Sequence, residues 1–204
     1  MAVSHGYEPV PQEAPSIGGA EGRNGATTAR PDWRCRMMLD LPNKLEAQKL
    51  LSQGVSEMAM LEPETIRAGN VRFLDGDSFE FADDGQRALI FRIVEFGLER
   101  DLVAWSRKLK KLATWRGVAF ALGQEAIWNP ATYFMGGALE VHRTPLDWLM
   151  ADREGICVVQ PRLAYSQLGH VERLLCPDEA HARELERWLQ PPKPRAEILV
   201  EVAA

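Results

Sequence analysis

Acidic residues near the ends of predicted strands are the first candidates for chemistry in this chain. Glu140 lies on a short apolar strand, and Asp178 and Glu179 directly follow another. Carboxylates that converge from neighbouring strand ends can hold Mg²⁺, a hard cation that prefers oxygen ligands and bridges phosphates. If the protein is a metal-dependent nuclease or phosphotransferase, these three residues are its catalytic candidates and Mg²⁺ is its cofactor; otherwise no cofactor is expected. Helix capping is the alternative, because acidic residues in a first helical turn are stabilised by the helix dipole.

His142 and Arg143 form a second candidate site. They end a predicted strand and precede Thr144, a predicted helix N-cap. Backbone N–H groups point outwards at a helix N-terminus, so this junction is a candidate site for an anion or a phosphate. The alternative is a pair of solvent-exposed strand-end residues without a ligand.

A basic cluster interrupts an otherwise acidic sequence. The chain has 24 Lys and Arg against 29 Asp and Glu, a net charge of −5, which excludes a generally basic nucleic-acid coat protein. The one positive concentration contains five cations and a tryptophan: Arg107, Lys108, Lys110, Lys111, Trp115 and Arg116. Cations beside aromatic rings are typical of single-stranded nucleic-acid binders. The same run also fits a solvated turn between apolar anchors.

Other chemistries lack their motifs in this sequence. Cys35, Cys157 and Cys176 show no CxxC spacing, which argues against a disulfide framework and fits a reducing cytoplasm. The four histidines form no metal-ligand pattern, and neither a P-loop nor a GxSxG motif is present. No apolar run approaches the ~20 residues of a membrane span, and the N-terminus lacks a secretory signal. We therefore expect a cytoplasmic protein with no membrane partner.

The hydrophobic pattern divides the chain into four parts and predicts an α/β fold, α+β overall. Residues 1–32 are rich in Gly, Pro, Ala, Ser and Thr and are predicted to be a disordered tail. Residues 33–70 are predicted to be a helical segment, and residues 71–137 a small antiparallel β unit. Residues 138–204 alternate strands with helices, which predicts βαβ crossovers and a mainly parallel sheet.

The C-terminal part has the clearest element boundaries. Thr144, Pro145 and Asp147 stand at the N-cap, N1 and N3 positions of a predicted helix. Strands are predicted over 139–142, 156–159, 171–175 and 196–202, and further helices over 161–168 and 178–189. Ligands of parallel sheets bind outside the carboxyl ends of the strands, so these ends are where chemistry is expected.

This arrangement resembles the Toprim domain of bacterial and phage primases and topoisomerases. In that family a Glu ends one strand, an Asp-x-Asp motif often followed by Glu-Ala ends another, and these carboxylates hold Mg²⁺. Here Cys176-Pro177-Asp178-Glu179-Ala180 resembles the second motif, and Val141-His142-Arg143 stands where the family has Glu-Gly. Asp147 resembles the acidic residue one turn later. Residues 88–105 and Arg116-Gly117 resemble the small subdomain that precedes Toprim in phage-type primases.

The resemblance departs from the family at the catalytic positions. His142 replaces the Glu and Cys176 replaces the first Asp, which leaves Asp178 alone of the three core carboxylates. The resemblance therefore implies a degenerate, non-enzymatic accessory protein of phage or mobile-element DNA metabolism, whose partner is single-stranded nucleic acid or a protein. Two alternatives stay open: an interaction or inhibitor module with no nucleic-acid role, and the metal-dependent nuclease or phosphotransferase.

Overall fold

The computed structural model describes residues 39–95 and 97–191. The predicted tail over 1–32, Cys35 and the predicted strand over 196–202 lie outside these ranges. Within them the chain forms two sheets connected by short helices and 3₁₀ turns, which confirms a mixed α/β fold.

Two short helices precede the first sheet. Helix α1 (Lys44–Leu51) begins at Asn43, whose side chain accepts the Glu46 N–H while the Glu46 carboxylate accepts the Asn43 N–H. This reciprocal cap satisfies backbone donors that no helical carbonyl reaches. Helix α2 (Glu57–Leu61) begins at Ser56, whose hydroxyl accepts the Ala59 N–H. The stretch predicted as helical thus contains two helices and then enters a strand at Arg67.

The first sheet, sheet A, is antiparallel and has the strand order β2-β1-β3-β4-β5. Its strands are β1 (Arg67–Phe73), β2 (Phe79–Phe81), β3 (Gln86–Glu95), β4 (Leu98–Ser106) and β5 (Lys111–Thr114). Strands β1 and β2 form a hairpin, with Phe73 opposite Phe79, as an antiparallel β unit requires. The sheet curls until its edges meet, because Ser78 bridges to Thr114 and the Thr114 N–H donates to the Asp77 carbonyl at 2.9 Å.

The second sheet, sheet B, has the strand order β6-β8-β7-β9. Its strands are β6 (Ala121–Leu122), β7 (Leu139–His142), β8 (Ile156–Val158) and β9 (Leu174–Leu175). Helix α3 (Pro145–Met150) connects β7 to β8. A 3₁₀ turn (Pro161–Leu163) and helix α4 (Ala164–Leu168) connect β8 to β9, and helix α5 (Glu179–Trp188) follows.

Sheet B is mixed, with two parallel strand pairings and one antiparallel pairing. Strand β7 runs parallel to β8 and β9, whereas β6 runs antiparallel to β8. Strand β9 is shorter than the strand predicted over 171–175, because the Val171 N–H closes a turn onto the Leu168 carbonyl instead of joining the sheet.

Helix α3 begins as its sequence predicts. The Thr144 hydroxyl oxygen accepts the Asp147 N–H at 3.2 Å, and the Asp147 carboxylate accepts the Thr144 N–H at 3.1 Å. Pro145 occupies the first helical position, where its missing N–H costs no hydrogen bond. Thr144 therefore fixes the direction in which the chain leaves β7.

A shared hydrophobic core joins the two sheets. One buried cluster contains Leu50 of α1, Phe91 of β3, Leu122 of β6 and Trp148 of α3. The Phe91 and Trp148 rings meet edge to face with centroids 6.0 Å apart, a geometry that aromatic pairs prefer. Each sheet also has a buried cluster of its own, so the shared cluster joins two partly independent cores.

Candidate functional site

The strand-end candidates meet at one edge of sheet B. Because β7 and β9 are parallel neighbours, Arg143 after β7 lies beside Asp178 after β9. An Arg143 Nη2 group donates to Asp178 Oδ1 at 2.9 Å. The same oxygen accepts the His181 N–H at 2.9 Å and so caps helix α5. The His181 N–H and then the Arg143 charge lower the pKa of Asp178, which keeps the carboxylate ionised at neutral pH.

His142 and Glu140 share one face of strand β7, as the two-residue period of a strand predicts. His142 Nε2 lies 2.8 Å from the Glu154 carbonyl oxygen and 3.7 Å from the Glu140 carboxylate. A carbonyl oxygen only accepts, so Nε2 carries the hydrogen in this contact. Both residues of the expected anion site therefore have partners within the fold: His142 has a carbonyl, and Arg143 has Asp178.

The three candidate catalytic carboxylates are each engaged separately. Glu179 pairs with Arg183 one helical turn later at 2.6 Å, Asp178 holds Arg143, and Glu140 lies beside His142. Across residues 39–95 and 97–191, no three or more His, Cys, Asp and Glu side chains are placed to hold a metal ion. Capping, the alternative to metal binding, accounts for the position of Asp178.

The two described cysteines pack in the interior rather than forming a reactive site. Cys157 is fully buried between the sheets, and burial raises the pKa of its thiol. Cys176 is partly buried, and burial followed by the Asp178 charge raises the pKa of this thiol as well. Both side chains remain protonated at neutral pH, which makes them poor nucleophiles.

The predicted basic cluster divides between the two ends of one hairpin. Strands β4 and β5 pair with Ser106 opposite Lys111, so the turn between them carries most of the cations. We call this group the basic tip: Arg107, Lys108, Lys110 and Lys111. Arg116 lies beyond the other end of β5, about 16 Å from Lys111 at ~3.3 Å per strand residue. There its guanidinium covers the Trp115 ring at 4.8 Å.

The basic tip is open to solvent. Lys108, Lys110 and Lys111 are exposed, and the Arg107 guanidinium lies 5.7 Å from the Trp105 ring. Within the part of the chain that the structure describes, no carboxylate forms an ion pair with these four cations. Residues Asp75–Asp77 line the same 310 Å³ cavity as Lys110 and Lys111 and reduce the local positive potential.

A buried carboxylate fixes the loop that follows the hairpin. Asp101 on β4 is 1% exposed and accepts four backbone hydrogen bonds at 2.8–2.9 Å. The donors are the N–H groups of Leu102, Arg116, Val118 and Ala119. Since a buried charge needs such partners, Asp101 and this loop stabilise each other. The contact fixes the backbone at Arg116.

A cavity of about 530 Å³ is lined by none of the candidate site residues that the sequence indicated. Trp128, Tyr133, Gly136, His170 and Arg173 are among the residues that line it. The Trp128 and His170 rings stack with centroids 4.3 Å apart and planes 12° from parallel. The sequence carried a partial signal, an aromatic loop that ends in two glycines, but nothing in it paired this loop with His170.

No protein-family model matches this chain, and no curated protein or solved structure matches it. In the two described ranges, no helix has the length and apolar character needed to cross a bilayer.

Proposed function

We propose that this chain is a non-enzymatic accessory module of phage or mobile-element DNA metabolism that binds single-stranded DNA through its basic tip. The observation that carries this proposal is the grouping of four cations, unpaired within the described chain, at one exposed hairpin end of an acidic protein. Such cations gain affinity for nucleic acid by releasing the counterions condensed on the phosphates. Trp105, which contacts Arg107 from the buried side, holds one cation in place.

The strand-end arrangement supports the non-enzymatic part of the proposal. Strand β7 lies between two parallel strands, and helices connect them in the order of βαβ units. At the strand ends, where a Toprim-like enzyme needs converging carboxylates, the Arg143–Asp178 ion pair carries no net charge. His142 adds an N–H donor there instead of an oxygen ligand. Such a donor set does not attract Mg²⁺, which requires oxygen ligands and negative charge.

Fluorescence anisotropy with a labelled single-stranded oligonucleotide tests the basic tip. We predict that Lys108→Glu/Lys111→Glu weakens binding at low salt by at least tenfold. The affinity should also depend less steeply on salt. Loss of two phosphate contacts reduces the magnitude of the negative slope of log affinity against log salt by about 1.4, at ~0.7 per phosphate. The double variant Lys44→Glu/Lys49→Glu is the matched control, because it makes the same charge change on exposed positions of helix α1.

Three outcomes contradict the proposal. The first is no binding by the unchanged protein at low salt, and the second is equal weakening by the two double variants. The third is equally tight binding of a duplex of the same sequence, which reduces the basic tip to a general polyanion site.

A second candidate function is a protein-interaction module. Phe134 and Met135 are 74% and 91% exposed, and exposed large apolar side chains often mark binding surfaces. If the chain binds no DNA, co-purification of a protein partner that Phe134→Ser/Met135→Ser abolishes supports this function. Retention of the partner by that variant counts against these two side chains as its binding surface.

A further inference from the structure

We infer that the cavity beside Trp128 is a nucleotide-binding site, in which the base stacks on the Trp128 ring and the phosphate contacts Arg173. The inference does not depend on the basic tip, because the two sites share no residue. A volume of about 530 Å³ lies within the range of small-ligand pockets, ~300–1,000 Å³.

The Trp128 ring is a stacking surface that exists before a ligand arrives. Trp128 is 66% exposed, yet the parallel His170 ring supports it at 4.3 Å. His170 covers one face of the Trp128 ring. A planar ligand that binds to the other face therefore extends an existing stack. Every nucleobase has such a planar face, so stacking binds bases with little regard to sequence. Because the indole is already held, binding loses less side-chain entropy.

The loop that carries Trp128 is held by its own hydrogen bonds. The Tyr133 hydroxyl donates to the Ile127 carbonyl at 2.8 Å, and burial raises the pKa of this phenol, which preserves the donor. The Thr132 hydroxyl donates to the Ala126 carbonyl at 2.9 Å. The Asn129 side chain accepts the Ala131 N–H at 3.0 Å. This loop therefore presents a formed wall of the cavity rather than a surface that must order on binding.

Arg173 provides the positive charge that a phosphate requires. Its Nη1 donates to the Gly136 carbonyl at 2.8 Å, which leaves the other donors of this exposed guanidinium for a ligand. Gly136 permits the contact, since its φ is +81° and a Cβ there would lie 3.2 Å from Nη1. Glu172 also lines the cavity, and a carboxylate accepts hydrogen bonds from the amino groups of bases. The cavity thus offers a stacking ring, a cation and a carboxylate. These groups match the base and phosphate of a nucleotide better than they match an apolar ligand.

Isothermal titration calorimetry with the four deoxynucleoside monophosphates and with a single-stranded oligonucleotide tests this site. We expect Trp128→Ala to weaken binding by about fivefold or more, the lower end of the stacking effect per base. Phe134→Ala is the matched control, because it removes a similarly exposed ring that does not line the cavity. Since both rings are exposed, neither substitution opens a cavity in the core, and circular dichroism verifies that both variants fold.

The two possible sources of the nucleotide give different results. Mononucleotide binding that Trp128→Ala weakens identifies a site for free nucleotides. Oligonucleotide binding alone, weakened by Trp128→Ala, identifies a site for one base of a strand. If Lys108→Glu/Lys111→Glu still binds mononucleotides, this site is separate from the basic tip. Failure of the basic tip to bind DNA would therefore leave the inference about this cavity intact.

The inference is overturned by any of three results. These are the absence of binding by every probe, equal affinity of the Trp128→Ala variant and the unchanged protein, and equal affinity for ribose 5-phosphate, which has no base to stack. An Arg173→Gln variant that binds the nucleotides as tightly as the unchanged protein removes the phosphate contact from the proposal.

Discussion

The carboxylate of Asp178 accepts hydrogen bonds from the His181 backbone and from the Arg143 guanidinium at the end of strand β9. Both contacts favour the ionised form, so the pKa of Asp178 is below its ordinary value of 3.8. A lowered pKa in the folded state means that ionised Asp178 stabilises the fold above the unfolded-state pKa. This contribution is lost as pH falls through the folded-state pKa.

We predict that Asp178→Asn removes this pH dependence and leaves the helix cap in place. Asn caps helices about as well as Asp, so the variant isolates the charge. The free energy of unfolding of the unchanged protein should fall relative to the variant as pH is lowered from about 5 to about 2. Urea denaturation at several pH values measures the difference. A difference that is constant with pH contradicts the assignment.

The distance between partners along the chain decides which residue roles the sequence could predict. Thr144 and Asp178 cap their helices through contacts that span three residues, so the local sequence pattern predicted both caps. Asp101 gave no such signal, because most of its donors follow the intervening strand β5. Trp128 and His170 stack although helices α3 and α4 and strands β7 and β8 separate them along the chain.

At the scale of elements, strand β5 divides the basic cluster into two separate groups. Neighbouring cations in the sequence suggest one patch, but β5 carries Arg116 to the opposite end of the hairpin from Lys108. Strands β3 and β4 follow apolar runs of the sequence, whereas residues 67–70 of β1 lie in the stretch that was predicted to be helical. Because β5 is short and begins with the exposed Lys111, it resembles a solvated turn in the sequence.

Two glycines of the same conformation allow the positioning of strand β8 to be tested. Gly155 precedes β8 and Gly76 lies in the first hairpin turn, both with φ of +72°. A Cβ at Gly155 would lie 2.5 Å from the Glu140 carbonyl oxygen, whereas a Cβ at Gly76 has no neighbour within 4 Å. The two positions therefore have the same φ and differ in the room available for a methyl group.

We predict that Gly76→Ala lowers the free energy of unfolding by about 1 kcal/mol, the cost of the left-handed conformation alone. Gly155→Ala should cost about 2 kcal/mol more, because strand β7 must shift to admit the methyl group. Urea denaturation of both variants gives the comparison. Equal losses would show that β7 does not constrain Gly155.

At the scale of the molecule, the shared core couples the two sheets. Leu122 of sheet B is fully buried in the cluster that also contains Phe91 and Trp105 of sheet A. The alternation of strands and helices predicted most elements of sheet B. The sequence could not predict the direction of β6, because that direction depends on the path by which the chain leaves sheet A.

We predict that the sheets unfold in one transition and that Leu122→Ala destabilises both by about 3 kcal/mol. Far-ultraviolet circular dichroism and tryptophan fluorescence should give coincident urea curves for the unchanged protein and for the variant. Two separated transitions, or a shift in only one probe, would show that the core does not couple the sheets.

The contact between Ser78 and Thr114 also bears on self-association. Edge strands offer unpaired backbone groups to other chains, and β2 and β5 are only three and four residues long. Where they meet, each edge is paired within the molecule, and the exposed Lys111 further opposes addition of a strand from a second copy. Sheet A is therefore protected against edge-to-edge aggregation at the point where β2 and β5 meet.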